Sequence, residues 1–125
     1  MAIIVIEGSN GVGKTTIINE LYKRLKIFPK KSVPDWFRQY IPIARTYSPE
    51  IQKEIYKIGH EAIYFESQDN QNYIFDRFIY STIIRLNYEL KKSINETVEE
   101  ILAYPLIPDI VILLRSDKKM LLKDY

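Results

Sequence analysis

The stretch AIIVIEGSNGVGKTT, residues 2 to 16, constrains the fold of this chain more than any other. Its apolar run ends at Glu7 and passes straight into a turn holding Gly8, Gly11 and Gly13. That run is too short for a signal core or a membrane span, and it reads as a buried strand. Ile17, Ile18, Leu21, Tyr22 and Leu25 then recur at helical spacing, which predicts a helix leaving the turn near Gly13 and ending before Pro29. Gly8, Gly13, Lys14 and Thr15 fit the pattern G-x-x-x-x-G-K-[ST]. The spacing has a mechanical reason: small residues let consecutive backbone N–H groups curl around a phosphate, and the helix N-terminus behind them adds partial positive charge. Lys14 supplies a mobile cation for the β and γ oxygens, and the Thr15 hydroxyl is placed for Mg²⁺. Residues Gly8, Ser9, Asn10, Gly11, Val12, Gly13, Lys14, Thr15 and Thr16 are therefore the candidate phosphate-binding set.

The rest of the chain alternates strands with helices. KIFPKKSVPDW reads as a loop with two prolines, and FRQYIPIAR as a short second strand that Pro42 pushes to a sheet edge. Ser48 is a predicted N-cap before Pro49, and Ile51, Ile55, Ile58, Ala62 and Phe65 form one apolar stripe of the next helix. NYIF is a short strand, followed by a helix with the stripe Ile79, Ile83, Leu86 and Leu90. Ser93 and Glu96 have capping-box spacing and open a shorter helix that ends near Tyr104. DIVILL is a continuous apolar strand of the kind parallel sheets bury on both faces. Ser116 caps a last predicted helix, DKKMLLKDY. The expected fold is α/β, a P-loop NTPase-like parallel sheet of about four strands in three α/β/α layers, with right-handed crossovers.

Composition narrows the function classes. The chain has 125 residues, 46% of them hydrophobic, which is enough for one core and too short for two, so 1–125 is read as a single domain. Eighteen Lys and Arg nearly balance 16 Asp and Glu, so neither a nucleic acid nor a membrane surface is the expected partner. The absence of cysteine excludes a disulfide framework and a thiolate metal site and suits a cytoplasmic location.

A phosphate-binding turn does not name a reaction. The discriminating stretch is FDRFIYS, where Asp76 and Arg77 end the NYIF strand. In open α/β sheets ligands sit beyond the carboxyl ends of the strands, so this pair and the glycine turn face one crevice. A guanidinium grips phosphate oxygens bidentately, which suits Arg77, and Arg45 by the same chemistry, to an acceptor phosphate. Asp76 would organise Mg²⁺ through water or orient the acceptor.

On IVIEGSNGVGKTT, DRFIYS, PDIVILL and the looser ARTYSPEI, the chain resembles the thymidylate kinase family of P-loop nucleoside monophosphate kinases, and more loosely other nucleoside and nucleotide kinases. These blocks occur in family order and cover nearly the whole chain. The resemblance implies ATP-dependent phosphoryl transfer to a nucleoside monophosphate, most like dTMP to dTDP, with ATP as donor and Mg²⁺ as cofactor. Lys14, Asp76 and Arg77 would be catalytic, Thr15 and Asp76 would hold the metal, and Arg45, Arg77, Phe37 and Ser81 would contact the acceptor.

The chain also departs from the family. Asn10 stands where an acidic residue is usual, Arg85 stands where an aromatic is common, and the sequence ends at Tyr125, where members continue into an arginine-bearing lid and a further strand. Without a lid the site would favour hydrolysis over transfer, and the DIVILL strand would form an apolar edge that a homo-oligomer covers. Three readings follow: a kinase whose missing elements a partner chain supplies or that are dispensable, a nucleotide-binding module without efficient turnover, and a truncated kinase. His60, beside Glu61 on a periodic helix, is read as a packing or solvent-facing residue without a metal role, since no second ligand has matching spacing. YKRLK and PKK read as solvated basic faces, and Trp36, Phe37, Tyr64 and Phe65 as base-stacking or core aromatics.

Overall fold

The structure, a computed structural model, describes residues 2–8 and 13–114. In chain order these form β1 (Ile3–Glu7), α1 (Lys14–Leu25), β2 (Ile27–Lys31), a 3₁₀ stretch (Asp35–Tyr40), α2 (Ile41–Ala44), α3 (Pro49–Glu66), β3 (Asn72–Asp76), α4 (Ile79–Glu89), α5 (Ile94–Ala103) and β4 (Ile110–Leu113). The four strands make one sheet in the order β2-β3-β1-β4, and all three pairings are parallel. This is an α/β architecture, a four-stranded parallel sheet flanked by helices. The final predicted helix with its Ser116 cap lies outside the described residues.

Strand alternation assigns side chains to the two faces. Ile4 and Ile6 of β1 and Ile74 of β3 pack with Ile18 of α1 on one face; Ile3 and Val5, with Tyr73 and Phe75, pack against Ile63, Phe78, Ile79 and Ile83 on the other. Val5, Ile6, Ile74 and Phe75 are fully excluded from solvent. Each such side chain contributes about 1.5–3 kcal/mol of burial free energy, so the two central strands anchor the domain. The same parity continues past the core: Glu7 follows Ile3 and Val5 to the α4 face, and Asp76 follows Ile74 to the α1 face.

Four expectations are corrected. The second strand is IFPKK rather than FRQYIPIAR. Pro29 is tolerated because, among the described residues, β2 pairs only with β3 and so lies at the sheet edge, where a missing outward N–H costs no ladder bond. The FRQYIPIAR segment is the 3₁₀ stretch and α2, with Pro42 in the first turn of the helix. The α3 start, with Ser48 as N-cap and Pro49 first, matches its expectation, but its buried residues are Lys53, Tyr56, Gly59, His60 and Ile63, whereas Ile51, Ile58 and Phe65 are exposed. Polar side chains took the inner face because they find partners there: Lys53 Nζ donates to Asn87 Oδ1 at 2.8 Å and pairs with Glu100 at 3.0 Å. Gly59 faces the 3₁₀ stretch, where an added Cβ would lie 2.8 Å from the Phe37 ring and 2.9 Å from Val33. Finally, β4 is not buried on both faces: Val111 and Leu113 are half or more exposed, while Ile112 and Leu114 pack on the α1 side.

Of the expected α4 stripe, Ile79, Ile83 and Leu86 are buried, while Leu90 is the C-cap and only half-buried. Ser93 and Glu96 form the complete capping box at the start of α5, each side chain taking up the other residue's backbone N–H. No helix among the described residues is long and apolar enough to cross a membrane.

Candidate functional site

The turn after β1 brings Lys14 back over its own beginning. Gly13 is the N-cap of α1 with φ 94°, a left-handed conformation that disfavours a side chain, and no side chain caps the helix. The first N–H groups of α1 therefore remain for an anion. Lys14 is the first residue of that helix and is only 8% exposed, unusual burial for a lysine. Its Nζ donates to the Gly8 carbonyl at 3.0 Å and lies 3.8 Å from Asp76 Oδ1. Thr15 and Thr16 are exposed in the first turn of α1. Ser9, Asn10, Gly11 and Val12 lie outside the described residues.

Asp76 reaches Lys14 because of register. It pairs with Ile6 at the carboxyl end of the neighbouring strand and shares a face with the start of α1. Arg77 follows with its N–H donated to the Ile6 carbonyl at 2.9 Å. Its φ is 70°, a left-handed conformation costing roughly 1–2 kcal/mol for a residue with a Cβ. Strain of this kind persists where the surrounding structure imposes it, and such positions cluster at binding sites. Here it turns the chain abruptly from β3 toward α4.

Glu7 belongs to the site although it was not among the candidates. It is 8% exposed, accepts the Ser81 hydroxyl, and accepts the Phe78 N–H at 3.3 Å. Burial pushes its carboxyl pKa up; the hydrogen bonds from Ser81 and Phe78 and the Arg77 charge oppose that shift. The legible signal was parity, since a carboxylate two residues beyond Val5 must end on the α4 face at the strand's carboxyl end. Ser81 is thus joined to Glu7 and lines the cavities beside Arg77.

Two cavities flank this corner. One of about 480 Å³ is bordered by Glu7, Gly8, Arg77, Arg85, Val111 and Leu113. The exposed face of β4 is therefore one wall of it. The other, of about 240 Å³, is bordered by Ser32, His60, Arg77, Phe78, Thr82 and Arg85. Arg77, Ser81 and Arg85 line both, so the cavities share a positively charged partition. Arg85 stands over the Tyr56 ring at 5.7 Å, which orients its guanidinium.

Two candidate acceptor contacts lie apart from this partition. Phe37 is 3% exposed and packs with Val33, Ala44, Tyr56 and Leu86, so its ring serves the core rather than a ligand. It went inside because the 3₁₀ stretch lies against Gly59 and leaves room for one aromatic ring. Arg45 is exposed at the end of α2 and lines neither cavity.

No protein-family model matches the sequence, and no curated protein matches it. Solved structures do resemble it. A thymidylate kinase from Ehrlichia chaffeensis aligns over 98% of this chain and 76% of its own, with a TM-score of 0.65 and 19% identity. Deoxyadenosine kinase from M. mycoides with bound dATP aligns over 98% of this chain and 69% of its own, with a TM-score of 0.58 and 24% identity. The same enzyme with dCMP and a flexible dCDP aligns over 97% and 67%, with a TM-score of 0.52 and 26% identity. The likeness is to nucleoside and nucleotide kinases with this fold.

Proposed function

We propose that this chain is an ATP-dependent phosphotransferase acting on a nucleoside monophosphate, with dTMP to dTDP the nearest known reaction. The observation that carries the reading is the meeting of Lys14 with Asp76, 3.8 Å apart, at the carboxyl ends of adjacent parallel strands, with Arg77 next in sequence. One end of the crevice suits a triphosphate and the other an anionic acceptor. Similarity to solved nucleoside and nucleotide kinases supports the same class.

In this reading the N–H groups at the start of α1 and Lys14 hold the donor phosphates, with Lys14 balancing the charge of the moving phosphoryl group. Arg77 grips the acceptor phosphate, and Glu7, holding Ser81 and the Phe78 amide, positions the first turn of α4. Asp76 and Thr15 offer the hard oxygen donors that Mg²⁺ takes when phosphates and water complete its shell, and the half-exposed Asp76 carboxylate leaves room for them. Bound there, Mg²⁺ would neutralise phosphate charge. The proposed acceptor contacts are Arg77, Ser81 and Arg85; the proposed domain is the whole chain.

A transfer assay tests the reading: purified protein with ATP·Mg²⁺ against each nucleoside and nucleoside monophosphate, with products resolved by chromatography. Formation of a diphosphate from one or more monophosphates is expected. Binding of ATP with no transfer to any acceptor would replace the enzyme with a nucleotide-binding module.

A further inference from the structure

The groove between α4 and α5 leaves large apolar side chains in water. It has a volume of about 300 Å³ and is lined by Ile84 and Tyr88 of α4 and by Ile94, Thr97, Val98 and Ile101 of α5. Lys92, in the turn between the two helices, is the one charged residue on its border. Spacing explains the exposed face: Ile84 and Tyr88 stand four residues apart on α4, and Ile94, Val98 and Leu102 stand four apart on α5, so each helix presents one apolar stripe. Tyr88 is 85% exposed, Ile94 82%, Leu102 77%, Ile84 54% and Val98 46%. Together they present roughly 700 Å² to solvent, more than the ~300–600 Å² of the largest patch on a typical monomer and close to the ~800 Å² that each partner gives a standard interface.

We infer that this face is a two-fold interface between copies of the chain, with the Tyr88 ring of each protomer seated in the groove of its partner and the two α5 helices antiparallel. Two features select a second copy as the occupant. The face holds both a ring standing out in solvent and the hollow beside it, and in an isologous contact one surface must supply both halves. Its lining, with a single charge, offers little to an acidic or basic partner, while the exposed area is already close to what stable association needs. A second exposed stripe, Ile51, Ile58 and Phe65 on α3, fits a copy less well: Glu54 and Glu61 flank it on one side, so antiparallel pairing there sets like charges opposite each other. Val98 is the midpoint of the stripe Ile94, Val98 and Leu102, which puts the two-fold axis beside it. Ile84 also borders the larger cavity together with Val111 and Leu113, so the interface continues toward the exposed face of β4.

Sedimentation equilibrium of the full chain tests this and should show a dimer at micromolar concentration. Tyr88→Ala and Val98→Glu should each raise the dimer dissociation constant about thirtyfold or more. Should Val98→Glu not fold, Tyr88→Ala still decides, because a side chain 85% exposed contributes little to the fold of one protomer. The chain has no cysteine, so Val98→Cys introduces its sole thiol. Mild oxidation should link that thiol to its counterpart across the axis, while Ile58→Cys on α3 stays unlinked. A dimer that Tyr88→Ala and Val98→Glu both leave intact, or a disulfide formed by Ile58→Cys and not by Val98→Cys, overturns the inference. A chain that stays monomeric throughout overturns it too, and the Val98→Cys thiol then says what holds the face: shielding from a thiol reagent assigns the groove to residues 115–125 of the same chain, and free reaction leaves it to a different protein.

Discussion

The hydroxyl of Ser81 donates to the carboxylate of Glu7, 74 residues earlier, and so ties the first turn of α4 to the carboxyl end of β1. Removing the donor by Ser81→Ala leaves a largely buried carboxylate short of one partner. The expected loss is about 1–2 kcal/mol in a urea titration, with the slope unchanged. A loss within experimental error would mean that Glu7 is satisfied by water and does not position α4.

Lys14 is held over the turn by the Gly8 carbonyl and faced by Asp76. Lys14→Ala should weaken binding of ATP·Mg²⁺ at least tenfold, because a charge-assisted contact to phosphate is lost. Isothermal calorimetry reads this directly. Unchanged affinity would remove the phosphate-binding role from this turn.

Arg77 combines a proposed ligand role with a left-handed backbone, and the two can be separated. Both Arg77→Ala and Arg77→Gly should abolish monophosphate binding while leaving ATP affinity within about threefold, because the donor is held by a different loop. Glycine carries no Cβ to strain at φ 70°, so Arg77→Gly should be more stable than Arg77→Ala by about 1 kcal/mol. Retention of full monophosphate affinity in both variants would move the acceptor phosphate elsewhere.

His60 makes stability depend on pH in a known direction. Its folded pKa of about 4 lies below the ordinary 6.5, so between those values the unfolded chain binds the extra proton. Its contribution is complete above pH 6.5 and is lost as pH falls toward 4, by about 3 kcal/mol in all. Glu7 acts with the opposite sign, since a raised carboxyl pKa favours the folded state at low pH and loses that advantage as pH rises. The check is therefore the difference between wild type and His60→Gln across pH 4 to 7, measured by denaturant titration. Wild-type stability should fall more steeply on acidification than that of the variant; parallel curves would contradict a neutral buried His60.

Lys53, 6% exposed, joins α3 to α4 and α5 through Asn87 and Glu100. Lys53→Met leaves Asn87 Oδ1 without its donor and Glu100 with Asn87 Nδ2 at 3.0 Å and the more exposed Lys57 at 3.4 Å. A destabilisation of about 2–3 kcal/mol is expected, below the range for a fully buried pair because Glu100 is 22% exposed. A thermal melt of the variant together with Glu100→Gln would show less than additive loss if the network acts as one unit.

The parts legible in the sequence were those whose signals are local. The β1 run, the cap at Ser93 and the Ile79, Ile83 and Leu86 stripe each declare themselves within a few neighbouring residues, and each is where it was expected. Less local features misled. Pro29 argues against a strand unless the strand is known to lie at an edge, and edge position is a property of the sheet order. The α3 stripe misled because Lys53 and His60 turn inward, where their partners Asn87, Glu100, Ser32 and Thr82 come from distant parts of the chain.

The sequence by itself determined the succession β1, α1, α3, β3, α4, α5 and β4, because backbone propensity and capping act over a few residues. Only the tertiary structure decided that Glu7 is buried beneath Ser81, that Phe37 packs in the core beneath Gly59, and that His60 and Thr82 form one hydrogen-bonded pair. Desolvation and hydrogen-bond polarity depend on which remote groups surround an atom. Strand register and helix docking choose those groups, and no spacing along the chain encodes them.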